Sequence, residues 1–124
     1  MTPNEYQKLA QRTVMPDVAQ YIKIDERLNE RPALSHVLVA ALKLNSESGE
    51  LSDALVKHIC YGQPLDRNNI IEECGDLLWY IALILEKLDA SMETCMYDNI
   101  VKLQKRYLEK FTEEHAAKRL DKQV

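Results

Sequence analysis

The sequence lacks the basic excess of a protein that binds nucleic acid through the phosphate backbone. Its 16 Lys and Arg residues are outnumbered by 20 Asp and Glu residues, and the formal net charge is −4 at pH 7. Because backbone binding relies on clustered positive charge, we expect no nucleic-acid partner. An acidic protein can still bind a small phosphate compound, provided that a cation lies between the two.

Cysteines are few, and nothing in their spacing suggests a disulfide framework or a metal site. The three thiols are Cys60, Cys74 and Cys95, an odd number without a C-x-x-C pair. A disulfide network or a structural zinc site is therefore not supported. We interpret the thiols as small buried apolar groups in a reducing compartment, and we expect a cytoplasmic protein.

Long apolar runs are also missing. The longest, Leu77–Leu85, has nine residues, whereas a transmembrane helix needs about 20. The N-terminus, from Met1 to Glu5, has neither a basic start nor an apolar stretch, so no signal peptide is expected. We therefore expect no membrane partner.

Breakers of regular structure are scarce, with three glycines and four prolines in 124 residues. This favours long helices and predicts one all-α domain over residues 1–124, an antiparallel helical bundle with short connections. Capping residues divide the chain into six segments. The predicted caps are Thr2, Asp17, Ser35, Asp66, Ser91 and Thr112, with an interruption near Met15-Pro16 and helix ends near Arg12, Leu28, Tyr61, Leu88 and Lys110.

The run Leu77–Leu85 is apolar on every face of the predicted fourth helix. A helix without a polar face is buried on all sides, so it is either the central helix or part of a subunit interface. We interpret Trp79 and Tyr80 as core residues rather than platforms for base stacking. In so short a chain, this helix favours a homodimer or homotetramer over a monomer.

Paired acidic residues stand out on the third predicted helix. At about 100° per residue, Glu47 lies among apolar positions and Glu50 borders them one turn further on. An unpaired buried carboxylate is costly, and two like charges three residues apart repel each other. Asp53, one more turn along, is interpreted as a peripheral ligand or a surface residue.

The fourth helix repeats the arrangement with Glu73 and Asp76. A hard divalent cation would resolve the repulsion, and Mg²⁺, with Mn²⁺ as a substitute, prefers such oxygen ligands. One ion, or two around a phosphate, fits four acids. The alternative is that both pairs are solvated helix faces. A di-iron site is not supported, because it requires Glu-x-x-His pairs and none occurs.

A polar and basic face follows on the fifth helix. Asn99, Lys102 and Arg106 are spaced i, i+3, i+7 and could bind polyphosphate oxygens. Taken alone, the face could equally be a solvated basic stripe. Tyr80 lies one turn after Asp76, where its hydroxyl could reach a ligand.

Read in order, these blocks resemble the MazG family of all-α nucleoside triphosphate pyrophosphohydrolases. The resemblance covers roughly residues 35–115 and is carried by three motifs. They are Glu47-Ser48-Gly49-Glu50, Glu73-Cys74-Gly75-Asp76 and Asn99-x-x-Lys102-x-x-x-Arg106-Tyr107.

The resemblance implies a short, single-domain, oligomeric enzyme that hydrolyses a nucleoside triphosphate to monophosphate and pyrophosphate. Mg²⁺ would be bound by the four acids Glu47, Glu50, Glu73 and Asp76, and Lys102 and Arg106 would contact the phosphates. We expect Glu50 to orient the attacking water. The alternatives are a hydrolase of an alarmone or modified nucleotide, a non-catalytic nucleotide-binding or regulatory module, and a structural helical oligomer.

Overall fold

The computed structural model describes residues 1–14 and 18–123, apart from the side chain of Gln20. Within these ranges the secondary structure is entirely helical, which confirms the predicted all-α class. The six helices are α1 (Pro3–Ala10), α2 (Val18–Glu30), α3 (Ala33–Ile59), α4 (Arg67–Lys87), α5 (Met92–Arg106) and α6 (Glu113–Lys118). Short 3₁₀ turns follow α1 at Gln11–Thr13 and α6 at Leu120–Lys122.

The chain divides into two compact units, residues 1–36 and residues 37–124. The first contains α1 and α2, and the second contains nearly all of α3 and everything after it. In the part of the chain that the structure describes, no helix is long and apolar enough to cross a membrane. The cytoplasmic location stays a prediction.

Side-chain caps begin four helices, as the sequence predicts. Thr2 and Glu5 form a reciprocal capping box at α1. At the other three helices, a side-chain oxygen accepts a hydrogen bond from a backbone N–H of the first turn. That N–H has no partner within the helix. These caps are Asp66 for α4, Ser91 for α5 and Thr112 for α6. The predicted interruption at Met15-Pro16 and the cap Asp17 lie outside the described residues.

Two predicted boundaries are wrong. Helix α3 begins at Ala33, so Ser35 lies inside the first turn. The backbone N–H groups of Leu34 and Ser35 already donate to the carbonyls of Arg31 and Pro32, and a proline suits this entry because its φ is fixed near the helical value. Helix α5 ends at Arg106 rather than near Lys110, because the chain leaves helical geometry where Leu108 has φ +20°.

A tight connection reverses the chain between α3 and α4. Gly62 has φ +69°, a left-handed conformation that glycine adopts without strain. Its N–H donates to the carbonyl of His58, and the N–H of Gln63 donates to that of Lys57, which closes the end of α3. Asp66 then starts α4 with an N-cap bond to Asn69, 3.0 Å long. This reversal brings the two acidic helices side by side.

The single chain encloses very little apolar surface. Among the described residues, the buried apolar side chains are those of Ala40 and Ala54, and no large side chain is fully buried. Trp79 is 60% exposed, so its interpretation as a core residue is wrong for the single chain, as is a fully enclosed α4. The three cysteines are exposed rather than buried. The alternative setting for Leu77–Leu85, a subunit interface, stays a prediction.

The C-terminal segment, residues 112–123, is fixed to α5 by an ion pair. The guanidinium of Arg106 donates from Nε and Nη2 to the two carboxylate oxygens of Asp121, at 2.7 and 2.8 Å. The Asp121 side chain is 1% exposed, and Arg119 lies 3.6 Å from the same carboxylate. Bonding to Arg106 lowers the pKa of Asp121 and raises that of Arg106.

Asp121→Asn should therefore loosen the C-terminal segment. Because the pKa of Asp121 lies below its ordinary 3.8, the pair stabilises the fold above about pH 4 and is lost as the pH falls through the lowered pKa. At pH 7 we expect amide hydrogen exchange in residues 113–123 to quicken by about tenfold or more. The control is Glu114→Gln, which removes the exposed i,i+4 pair of Glu114 with Lys118 and should change exchange little. Equal exchange in the two variants would contradict the anchoring role.

Candidate metal centre

Three of the four predicted metal ligands meet where α3 and α4 lie side by side. Glu47 from α3 and Glu73 and Asp76 from α4 each place a potential ligand atom within 4.8 Å of the other two. Glu73 and Asp76 are three residues apart, so both project from one side of α4. Carboxylates from two antiparallel helices thus converge as the sequence pattern requires.

Burial is unusual for two of these acids. Glu47 and Glu73 are the buried charged residues of the part of the chain that the structure describes, with Glu73 only 7% exposed. Its Oε2 atom is buried and has no hydrogen-bond partner. A buried carboxylate oxygen without a partner is energetically costly, and a bound cation would remove that cost.

The charge around Glu73 is uniformly unfavourable. Burial raises its pKa most, and the nearby carboxylates of Glu50, Asp76, Glu47 and Glu72 raise it further, in that order. Glu50 is not one of the three acids within 4.8 Å of one another. Among the neighbouring charges, however, its carboxylate raises the pKa of Glu73 most, which places the fourth predicted ligand close to Glu73. The site thus carries a concentrated negative charge.

An oxygen-only donor set of this kind fits a hard divalent cation. Mg²⁺ and Mn²⁺ favour carboxylate oxygens, water and phosphate, and Glu73 has a buried oxygen without a hydrogen-bond partner. The residues that could hold it are Glu47, Glu73 and Asp76, with Glu50 beside them.

Among the described residues, neither Lys102 nor Arg106 forms an ion pair with these acids. Lys102 and Asn99 lie exposed on α5, and Arg106 bonds to Asp121. Tyr80 is half-buried with its ring edge-on to Trp79, at 4.9 Å between ring centroids. Their roles towards substrate stay predictions.

Two lysines of α3 form ion pairs with acids that the sequence analysis singled out. The carboxylate of Asp53 forms an ion pair with Lys57 at 2.8 Å, which favours the interpretation of Asp53 as a surface residue. Lys43, which the sequence analysis did not single out, places Nζ 3.5 Å from Oε1 of Glu47. Its position one turn before a metal-ligand candidate was the signal that could have revealed it.

Comparison with protein families agrees with this arrangement. The model of the MazG nucleotide pyrophosphohydrolase domain matches residues 36–111, more than half of the chain. The chain belongs to the MazG family. The match begins just inside α3 and takes in α4, α5 and all four acids, but it ends before Asp121. No match was found among curated proteins or among solved structures.

Membership of the MazG family accounts for the acidic cluster. The family supports nucleotide pyrophosphohydrolase activity with a divalent metal, and the cluster supplies oxygen ligands suited to one. The acids of the cluster are therefore candidate ligands for such an ion.

Glu73→Gln should separate the effect of the Glu73 charge on stability without metal from its role in binding the ion. The raised pKa of Glu73 means that its protonated form stabilises the fold at low pH, and that this contribution is lost as the pH rises through the pKa of the folded state. The neutral variant should therefore melt higher than the wild type at pH 7.5 without metal.

Addition of Mg²⁺ should then raise the melting temperature of the wild type but not of Glu73→Gln, because a ligand that binds only the folded state stabilises it. Thermal denaturation with Mg²⁺ and with EDTA measures both effects. Glu72→Gln, which changes the exposed neighbour, is the control and should keep the Mg²⁺ response. An unchanged Mg²⁺ response in Glu73→Gln would remove Glu73 from the ligand set.

Proposed function

We propose that this chain hydrolyses a nucleoside triphosphate, NTP or dNTP, to the monophosphate and pyrophosphate with Mg²⁺ as cofactor and Mn²⁺ as a substitute. The observation that carries the proposal is the convergence of Glu47, Glu73 and Asp76 within 4.8 Å, in a chain of the MazG family. When bound, Mg²⁺ would neutralise polyphosphate charge and make a nearby water more acidic. We assign Glu47, Glu50, Glu73 and Asp76 as its ligands.

Water adds across the anhydride bond between the α- and β-phosphates, so a proton must leave the water as that bond breaks. Glu50 suits this step, because it is exposed, lies near Glu73 and is outside the tightest ligand group. We assign it to orient the water and accept the proton. The pyrophosphate departs with the bridging oxygen.

Cations from α5 would stabilise the departing pyrophosphate. Lys102 and Asn99 are exposed one turn apart. Arg106 donates one hydrogen bond from Nε and one from Nη2 to Asp121. A guanidinium has five N–H donors in all. The edge away from Asp121 can therefore serve a phosphate while Asp121 fixes the orientation of the group. Tyr80, one turn from Asp76, is assigned to contact the substrate.

Pyrophosphate release tests the reaction directly. With a panel of NTPs and dNTPs, the wild type should release pyrophosphate from at least one nucleotide in Mg²⁺ and from none in EDTA. Glu50→Gln should lower kcat by about 100-fold or more, since a positioned general base contributes about 10²–10⁴. Glu72→Gln, an acid on the same helix as two ligands but outside the cluster, should remain active.

Release from no nucleotide by folded protein would contradict the proposed reaction. Turnover of a modified nucleotide or an alarmone would then point to a specialised hydrolase. Mg²⁺-dependent nucleotide binding without turnover would point to a regulatory module. Absence of any Mg²⁺ response would leave the structural oligomer.

We also propose that copies of this chain associate as a homodimer or homotetramer. Large apolar side chains on the helices that carry the site remain open to solvent, and a monomeric protein rarely leaves so many exposed. They are Leu38, Val39 and Leu42 on α3, Leu78 and Trp79 on α4, and Met96, Tyr97 and Ile100 on α5. A second copy carries the same surfaces and can cover them in a two-fold arrangement.

Leu78→Glu tests the association. A carboxylate in an apolar interface is strongly unfavourable, so the variant should dissociate at protein concentrations where the wild type is oligomeric. Light scattering coupled to gel filtration gives the mass, and circular dichroism checks that the helices persist. A wild type that elutes with the mass of one 14.4 kDa chain at all concentrations would refute the proposal.

A further inference from the structure

Lys43 lies at the edge of the acidic cluster, one turn before Glu47 on α3. Its Nζ is 3.5 Å from Oε1 of Glu47. This order along the helix, lysine first and acid four residues later, is the weaker one for an i,i+4 pair. The pair is also partly exposed, since the Lys43 side chain keeps 47% of its surface in solvent. Stabilisation of α3 is therefore a poor account of why a lysine stands here.

The charge balance of the site provides a better account. Two divalent cations would only balance the four carboxylates, and a polyphosphate brings several further negative charges. In residues 1–14 and 18–123, the cation within ion-pair distance of this cluster is Lys43. Lys102 and Arg106 belong to α5, and Arg106 already pairs with Asp121.

The Lys43 side chain has the properties needed to change partner. An ammonium is a compact charge on a flexible stem, and lysine is a common phosphate ligand. Half of its surface is free, and its present contact is one long ion pair rather than a bidentate bond. When Glu47 shares its charge with a bound cation, its attraction for Lys43 weakens. The ammonium is then free to turn to an oxygen beside the cluster.

We propose that Lys43 is a phosphate-binding residue of this site, whose ammonium moves from Glu47 to a non-bridging oxygen of the polyphosphate. The inference rests on the proposed function, because the polyphosphate must be held at the acidic cluster. It also assigns Lys43 a role in recognising phosphate rather than metal, since a cation cannot be a ligand of Mg²⁺.

Lys57 supplies a matched control on the same helix. It forms an i,i+4 ion pair with Asp53 at 2.8 Å, and its side chain is 54% exposed, much like that of Lys43. Its acid is not among the three clustered carboxylates. The two lysines differ in whether their partner belongs to the candidate metal centre. They also differ in the order of lysine and acid along the helix and in the exposure of the acid, which is 12% for Glu47 and 60% for Asp53.

Calorimetric titration of the full chain with Mg²⁺ alone, and then with pyrophosphate in saturating Mg²⁺, tests the inference without requiring turnover. Lys43→Gln should weaken pyrophosphate binding by about tenfold or more, as expected for loss of one charge-assisted hydrogen bond. Its Kd for Mg²⁺ alone should stay the same or fall, because a competing cation has gone. Lys43→Arg should restore most of the pyrophosphate affinity, and Lys57→Gln should match the wild type in both titrations.

Each contradicting outcome identifies which of the two assignments has failed. If the wild type binds Mg²⁺ and pyrophosphate and Lys43→Gln binds pyrophosphate equally well, the Lys43 assignment is wrong and the proposed function stands. A merely structural lysine would weaken Mg²⁺ and pyrophosphate binding together through Glu47, which also overturns the assignment. If the wild type binds neither Mg²⁺ nor pyrophosphate, the proposed function fails and the Lys43 assignment fails with it.

Discussion

Repulsion between carboxylates at the contact of α3 and α4 is the constraint on which the rest of the site depends. Glu47 and Glu73 are buried beside each other, with Asp76 and Glu50 close by. No fold gains stability from such a cluster in isolation, because burial and like charge both disfavour the ionised form. The stability of the helices elsewhere must offset this free-energy cost when no cation is bound. Natural proteins accept unfavourable local arrangements of this kind mainly at functional sites.

The helices hold the acids in place by ordinary means. Gly62 and the Asp66 cap define the connection between α3 and α4. Lys43 pairs with the buried Glu47 and Lys57 with the exposed Asp53, so α3 forms ion pairs both at the acidic cluster and away from it.

Arg106 lies in a predicted phosphate-binding motif and also forms a structural ion pair. The family match includes it, while its observed bonds join it to Asp121 in a segment beyond the match. A buried bidentate pair fixes the guanidinium plane, and the remaining N–H groups keep a defined direction. In the proposed mechanism, Asp121 would be a positioning residue that acts through Arg106.

The amino-acid sequence by itself determined the helical class, four of the helix caps and the identity of the acidic ligand candidates. These follow from local rules, since a cap bonds within its own first turn and two acids three residues apart share a helix face. Tertiary structure alone decided that Glu73 is the acid with a partnerless buried oxygen, that Lys43 borders the cluster and that Arg106 pairs with a residue 15 positions away. It also decided that Trp79 and the cysteines are exposed. Apolar patterning identifies the apolar face of a helix, but whether that face is buried within the chain depends on how the helices pack.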